Sequence, residues 1–289
     1  MLGTLIRGVG GMYTAVGDDG AEYTLRARGK LRHEHITPMA GDRVEMSPGS
    51  GEQHGWLERV LERSSVLTRP PVANLELLIL TIAPTPEPDM LLIDRLMVMA
   101  RLAGVDCLLC INKNDIDPSI GERVREEYMA ARVPIETVSA LKSDTLAGLY
   151  GAMVGKTCCF AGQSGVGKST ILSALIGRRL KIGEISARTE RGKHTTRHSE
   201  LLIENGLRVL DTPGFSLFAL DGVQPQSLQE AYAEFEGLSA SCRFQPCMHD
   251  REPGCVVRET MLACGAAARY ERYRELLAET RQAWNDRYK

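Results

Sequence analysis

No stretch of this chain stays apolar long enough to cross a bilayer. A spanning helix needs about 18 apolar residues in a row, and Leu75 to Ala83, among the longest runs, contains Glu76. No secretory pattern opens the sequence: Met1-Leu2-Gly3-Thr4 is not a basic segment leading into an apolar one. No charge of one sign dominates. With 35 Lys and Arg against 37 Asp and Glu the formal net charge is −2, so any surface for nucleic acid has to be local. The expectation is a cytoplasmic protein. Its eight cysteines then read as thiols or metal ligands rather than disulfides. A length of 289 residues allows about two domains, or three small ones.

What is present centres on Gly162-Gln163-Ser164-Gly165-Val166-Gly167-Lys168-Ser169-Thr170. An apolar run (Thr157 to Ala161) precedes it and a helical pattern (Ile171 to Ile176) follows. Strand, Gly-rich loop and helix form the context that the phosphate-loop pattern G-x-x-x-x-G-K-[ST] requires. Gly162 and Gly167 permit backbone angles and approach that a Cβ forbids. The loop amides and the helix N-terminus suit an anion. Lys168 is expected to reach the β- and γ-phosphates, and the Ser169 hydroxyl to ligate Mg²⁺.

Ahead of that loop, Val105 to Ile111 reads as a buried strand running into Asn112-Lys113-Asn114-Asp115. Guanine presents two hydrogen-bond donors side by side, and a carboxylate such as Asp115 accepts both. Adenine has no such pair, so a carboxylate facing it is left unpaired. Asn112 is placed to bond the base and the phosphate loop, and the Lys113 stem to lie over the ring. Ser139-Ala140 follow another short strand and fit a backbone contact to the guanine oxygen. Cys107-x-x-Cys110 has metal or redox spacing but lies within the strand, where cysteine acts as a small hydrophobe; Cys158 and Cys159 read alike.

Residues 178–197 are rich in Arg, Lys, Gly and Thr and are expected to be mobile. Within them Thr195 or Thr196 would complete Mg²⁺ coordination, and His194 is a candidate catalytic group. Two strands flank Glu204-Asn205-Gly206, a hairpin with an Asn-Gly turn. The second ends at Asp211-Thr212-Pro213-Gly214, matching D-x-x-G. Asp211 would hold Mg²⁺ through water, and the Gly214 amide would sense the γ-phosphate. Phe215 stands where many GTPases have a water-orienting Gln, so unassisted hydrolysis is expected to be slow. The guanine motifs come before the phosphate loop, so the domain reads as circularly permuted.

On either side lie two smaller modules. Residues 1–66 carry short alternating stretches with Gly-rich turns, predicting an all-β barrel, an OB-fold with an SH3-like barrel as alternative. Arg26, Arg28, Lys30, Arg32 and His33 form a basic run, either an RNA-facing rim or a solvated face. Pro70-Pro71 is expected to be a linker. Residues 67–222 are expected to form the GTPase unit. In residues 223–289, Cys242, Cys247, His249 and Cys255 follow C-x₄-C-x-H-x₅-C, a closed tetrahedral set for structural Zn²⁺. That segment has little evident core, and the charges from Arg269 to Arg281 suit a solvated helix.

Together these motifs resemble the ribosome small-subunit-dependent GTPase A family (RsgA, also called YjeQ or EngC) over the whole chain. The resemblance rests on Asn112 to Asp115, Gly162 to Thr170, Gly192 to Thr196, Asp211 to Phe215, and Cys242-Arg243-Phe244 with Cys247, His249 and Glu252 to Cys255. It implies an α/β circularly permuted P-loop GTPase domain, an N-terminal OB-fold and a C-terminal zinc-bound helical domain. It further implies GTP hydrolysis to GDP and phosphate, stimulated by the small (30S) ribosomal subunit, with rRNA contacts and a role in that subunit's late maturation. Lys193 departs from a frequent Arg but keeps the charge. The alternatives are a GTP-gated RNA- or protein-binding module with incidental hydrolysis and, disfavoured by Asp115, an ATP-dependent phosphotransferase. A monomer is expected.

Overall fold

A computed structural model describes residues 1–49, 53–68, 71–177, 199–211, 220 and 222–287. The chain begins with a barrel. β1 (Leu2–Val9) and β2 (Met12–Gly17) pair antiparallel across Gly10-Gly11, and β2 pairs with β3 (Glu22–Ala27). β4 (Arg43–Ser47) and β5 (Gly55–Val60) complete the closed order β1-β2-β3-β5-β4. The parallel β3–β5 pair makes this a five-stranded Greek-key barrel of the OB type. Leu5, Leu25, Val44, Met46 and Leu57 fill it, with Leu31 of a short helix, α1 (Gly29–His33), as a plug. β1 escapes a reading from sequence because Gly3 and Gly8 interrupt its apolar run. Both are there for space: a Cβ on Gly3 would come 2.7 Å from Met46 Cε, and one on Gly8 2.7 Å from Tyr13.

Of the expected linker, Pro70 lies outside the described residues, and Pro71 opens a packed strand. β6 (Val66–Thr68) pairs with β7 (Pro71–Ala73), and Leu67 and Val72 are buried.

The next segment is a six-stranded sheet in the order β10-β9-β8-β11-β13-β12. β8 (Leu77–Ile82) is buried throughout, as a strand covered on both faces must be. It pairs in parallel with β9 (Asp106–Ile111) and β11 (Thr157–Ala161). β10 (Ile135–Thr137) extends one side, and β13 (Leu207–Asp211) the other. β12 (Glu200–Glu204) is the antiparallel edge, joined to β13 by a turn with Asn205 at φ 49° and Gly206 at φ 74°. α2 (Met90–Leu102) and α3 (Ser119–Tyr128) cover one face; α4 (Ala147–Met153) and α5 (Lys168–Ile176) cover the other.

The C-terminal segment has more core than its sequence suggests. Short 3₁₀ turns at Ser227–Ala231 and Ala233–Phe235 lead to α6 (Val256–Ala263) and α7 (Ala267–Asp286). Tyr232, Phe235, Tyr270 and Tyr273 form a buried cluster together with the three motif cysteines and Val98 of α2. These residues are scattered over irregular turns, so no periodicity announces them. α7 is not a solvated helix either: Arg269 is fully buried against Asp94 and Glu234. No helix among the described residues is long and apolar enough to cross a membrane.

Candidate nucleotide cleft and metal centre

The carboxyl ends of β8, β9, β10, β11 and β13 share one edge of the sheet. Chain order reverses between β8 and β11, which is where open α/β sheets bind ligands. The expected residues gather there. Gly162 leaves β11 at φ 133°, and a Cβ would lie 2.1 Å from Thr81 O. Gly167 caps α5 at φ 96°, and a Cβ would meet Asn112 Nδ2 at 2.3 Å. Only glycine fits either place. Ser169 is the second residue of α5 and half-buried, while Ser164, Gly165 and Thr170 are exposed.

Lys168 folds back over its own loop. Its Nζ donates to Gly162 O (2.7 Å) and Gln163 O (2.6 Å), and burial pulls its pKa below the usual lysine value. Asn112 is a buried brace. Its Nδ2 donates to Val166 O (2.9 Å) and its Oδ1 accepts from Ala140 N (3.1 Å). The phosphate loop and the Ser139-Ala140 segment are thereby tied through one side chain. Lys113, at φ 58°, donates to Thr85 O (2.6 Å) and Gly165 O (2.8 Å). Asn114 N donates to Val138 O (3.2 Å). Asp115 is exposed, and its neighbour Ser139 is the main reason its carboxyl lies below the usual range. Asp211 ends β13, one residue past the Cys159–Leu210 register pair, so it borders the start of the phosphate loop. His194, Thr195, Thr196 and Gly214 lie outside the described residues.

Cys107 and Cys158 are buried, and burial pushes both thiols up to about 12. At neutral pH they are inert thiols packed in the sheet.

Cys242, Cys247, His249 and Cys255 are all buried, and their ligand atoms lie within 4.8 Å of one another. Cys242 Sγ is 3.9 Å from Cys255 Sγ, and His249 Nδ1 is 3.6 and 3.5 Å from those two sulfurs. A tetrahedral Zn²⁺ with ordinary bond lengths implies edges of about 3.8 Å between sulfurs and about 3.5 Å from sulfur to nitrogen. The donor set therefore fits that ion. Ser239 Oγ lies 3.1 Å from His249 Nε2 and can accept its proton, leaving Nδ1 to face the sulfurs. The Glu252 carboxylate accepts from Met248 N (3.0 Å) and Asp250 N (2.9 Å), closing the loop around His249.

The RsgA GTPase family model matches residues 60–221, and the RsgA N-terminal domain model matches residues 2–57. The chain belongs to the RsgA GTPase family. It is 38% identical over 281 residues to a protein of Ruminiclostridium cellulolyticum named small ribosomal subunit biogenesis GTPase RsgA, covering 95% of this chain and 92% of that one. A relative of the same name in Geobacillus thermodenitrificans is 37% identical, with 97% of each chain covered. Among solved structures, YjeQ from Thermotoga maritima superposes with a TM-score of 0.83 at 30% identity, over 96% of this chain and 98% of that chain. YloQ, a circularly permuted GTPase, superposes at 0.80 and 27% identity, over 97% of this chain and 95% of that chain. The permuted order read from the sequence agrees with this match to a circularly permuted GTPase.

Two features of this RsgA-family chain were missed from sequence. Gln163 Oε1 accepts from Asp89 N (2.9 Å), and Asp89 in turn caps α2 by accepting from Leu92 N (2.9 Å). Pro88-Asp89 before a helical pattern was a legible cap signal; its link to the phosphate loop was not. The second feature is a buried ionic cluster. Asp94 of α2 binds Arg269 and Arg272 of α7, Glu234 binds Arg269, and Tyr128 donates to Asp94 at 2.6 Å. The Arg269 guanidinium lies 4.8 Å from the ring centres of both Tyr128 and Tyr232. The C-terminal segment with the Cys/His set is keyed to the GTPase sheet through this cluster.

Proposed function

We propose that the chain binds GTP at the shared strand edge and hydrolyses it to GDP and phosphate when stimulated by the small ribosomal subunit. The observation that carries this reading is the convergence of Asn112 to Asp115, Ser139-Ala140, Gly162 to Thr170 and Asp211 on one edge, reached through a permuted chain order. Asp115 selects guanine through its paired donors. The loop amides and Lys168 hold the phosphates, with Lys168 leaving its two carbonyls for them. Ser169 and Asp211 are the described residues that would hold magnesium, which supplies neutralisation of phosphate charge. Thr195 or Thr196 would join them, and His194 would serve hydrolysis in place of the Gln that Phe215 replaces. Cys242, Cys247, His249 and Cys255 hold zinc as a fold staple, with no position left for chemistry.

The ribosomal part of the reading is supported by the names of the relatives, each a small ribosomal subunit biogenesis GTPase. We further propose a cytoplasmic, monomeric factor of three modules (residues 1–66, 67–222 and 223–289) that assists late maturation of the subunit, with its barrel toward rRNA. The test is GTP turnover alone, with purified small subunits, and with large subunits as control. A rise specific to small subunits is expected. Tight GTP binding without any rise would remove the ribosomal reading and leave a nucleotide-gated module.

A further inference from the structure

One end of the barrel holds a cleft of about 630 Å³ that the nucleotide site does not use. Gly10-Gly11, Tyr13, Arg26, Leu31 and Trp56 line it. Trp56 is 40% exposed although it stands in a strand. In the barrel register Met12 pairs with Arg26 and Arg26 with Trp56, so the three form one row across β2, β3 and β5. The Arg28 guanidinium lies 4.2 Å from the Trp56 ring centre and is itself held by Glu58 through hydrogen bonds of 3.0 and 3.1 Å. Glu58 also accepts from Ser47 Oγ at 2.9 Å. Arg28 is therefore spent on fixing the indole. Its charge is neutralised, and the basic run read from sequence shrinks at this point.

Arg26 differs. It is exposed, its Nε donates to Met12 Sδ at 3.4 Å, and it forms no ion pair among the described residues. Among the described residues no Asp or Glu lines the cleft. Gly10 and Gly11 turn at φ 60° and 81° with open space where a Cβ would point. A braced aromatic face, an unneutralised cation beside it and a bare backbone rim suit a flat ring carrying a negative charge. A basic protein tail would find no carboxylate here. A duplex presents its bases stacked, with no free ring face to offer a concave site.

We propose that this cleft seats one unstacked base of single-stranded RNA, with the ring on Trp56 and the adjoining phosphate at Arg26. The proposal rests on the reading of the barrel as the rRNA-facing module and gives it a specific contact. Leu31 and Tyr13 close the apolar side, and Gly10-Gly11 let the sugar-phosphate chain pass close.

The experiment uses the full chain carrying Trp284→Phe, so that Trp56 is the remaining tryptophan. Titration with an unstructured RNA octamer is expected to quench Trp56 fluorescence, and a duplex of equal length is not. By anisotropy, Trp56→Ala should weaken octamer binding at least about fivefold, as loss of one stacked base does. Arg26→Gln should weaken it and lower the slope of log affinity against log salt by about 0.7. Basal GTP turnover should be unchanged in both. Binding without quenching, equal affinity for the duplex, or full affinity in Trp56→Ala would each overturn the proposal. Stimulated turnover is measured on the same proteins. If the unmodified chain responds to small subunits and Trp56→Ala responds equally, the cleft is wrong and the ribosomal function stands. If the unmodified chain does not respond, the function is wrong, and the quenching result still decides the cleft.

Discussion

Asp115 is one exposed carboxylate in the turn after a buried strand, and the proposed guanine selectivity rests on it. Asp115→Asn is expected to cut the preference for GTP over other purine nucleotides by about two orders of magnitude, since the paired donors of guanine lose their acceptor. Competition between GTP and ATP measures this, and a preserved ratio would place selectivity elsewhere. Lys168 yields a pH prediction. Burial lowers its pKa in the free protein, and phosphate oxygens favour its charged form. Below the lowered value binding takes up no proton. Above it binding must draw one, so GDP affinity falls as pH rises through that value. Calorimetry in two alkaline buffers of different ionisation heat should show the uptake. At the metal centre, Ser239→Ala removes the acceptor that fixes the His249 ring. Zinc affinity by competition with a chelating dye should drop about tenfold, and an unchanged affinity would make Ser239 a bystander.

Among the elements, α2 matters most. Its cap, Asp89, touches Gln163 of the phosphate loop, and one turn further Asp94 receives α7. A buried charge that loses its partner is costly, so Arg269→Met should destabilise the protein by about 3–5 kcal/mol in chemical denaturation. Replacing Arg269 and Asp94 together by apolar residues should cost less than the two single changes summed. Additivity would mean the pair is not coupled. α7 also shows where sequence patterns mislead. Alternating Arg and Glu describe a solvated helix unless another element supplies a partner. Asp94 lies 175 residues from Arg269, and no local pattern encodes that meeting. The β12–β13 hairpin is the opposite case. Its Asn-Gly turn forces the chain back on itself within the hairpin, and so it was legible.

For the molecule as a whole, the metal should act as a regional staple. Three of the proposed ligands, Cys242, Cys247 and Cys255, belong to the aromatic core that includes Tyr232, Tyr270 and Tyr273. Stripping zinc with a chelator should cost that region several kcal/mol and collapse its tyrosine near-ultraviolet signal. GDP binding should persist, because the cleft is built from strand ends that share no ligand with the metal. Loss of both together would show that the α2–α7 cluster carries the damage across.

The sequence by itself determined the chemistry and the order of its parts. A phosphate loop needs glycines where a Cβ would strike Thr81 or Asn112, a guanine site needs a carboxylate after a strand, and a zinc site needs closely spaced thiolates. Each of these demands is met within a few residues, so it leaves a local trace. Tertiary structure decided what touches what. It turned Asn112 into a brace between two loops, paired Arg28 with Glu58 over the Trp56 ring, and buried Arg269 between two tyrosines. Those outcomes depend on side chains brought together from distant positions by the packing of sheet, helices and barrel, and packing has no period that a sequence can display.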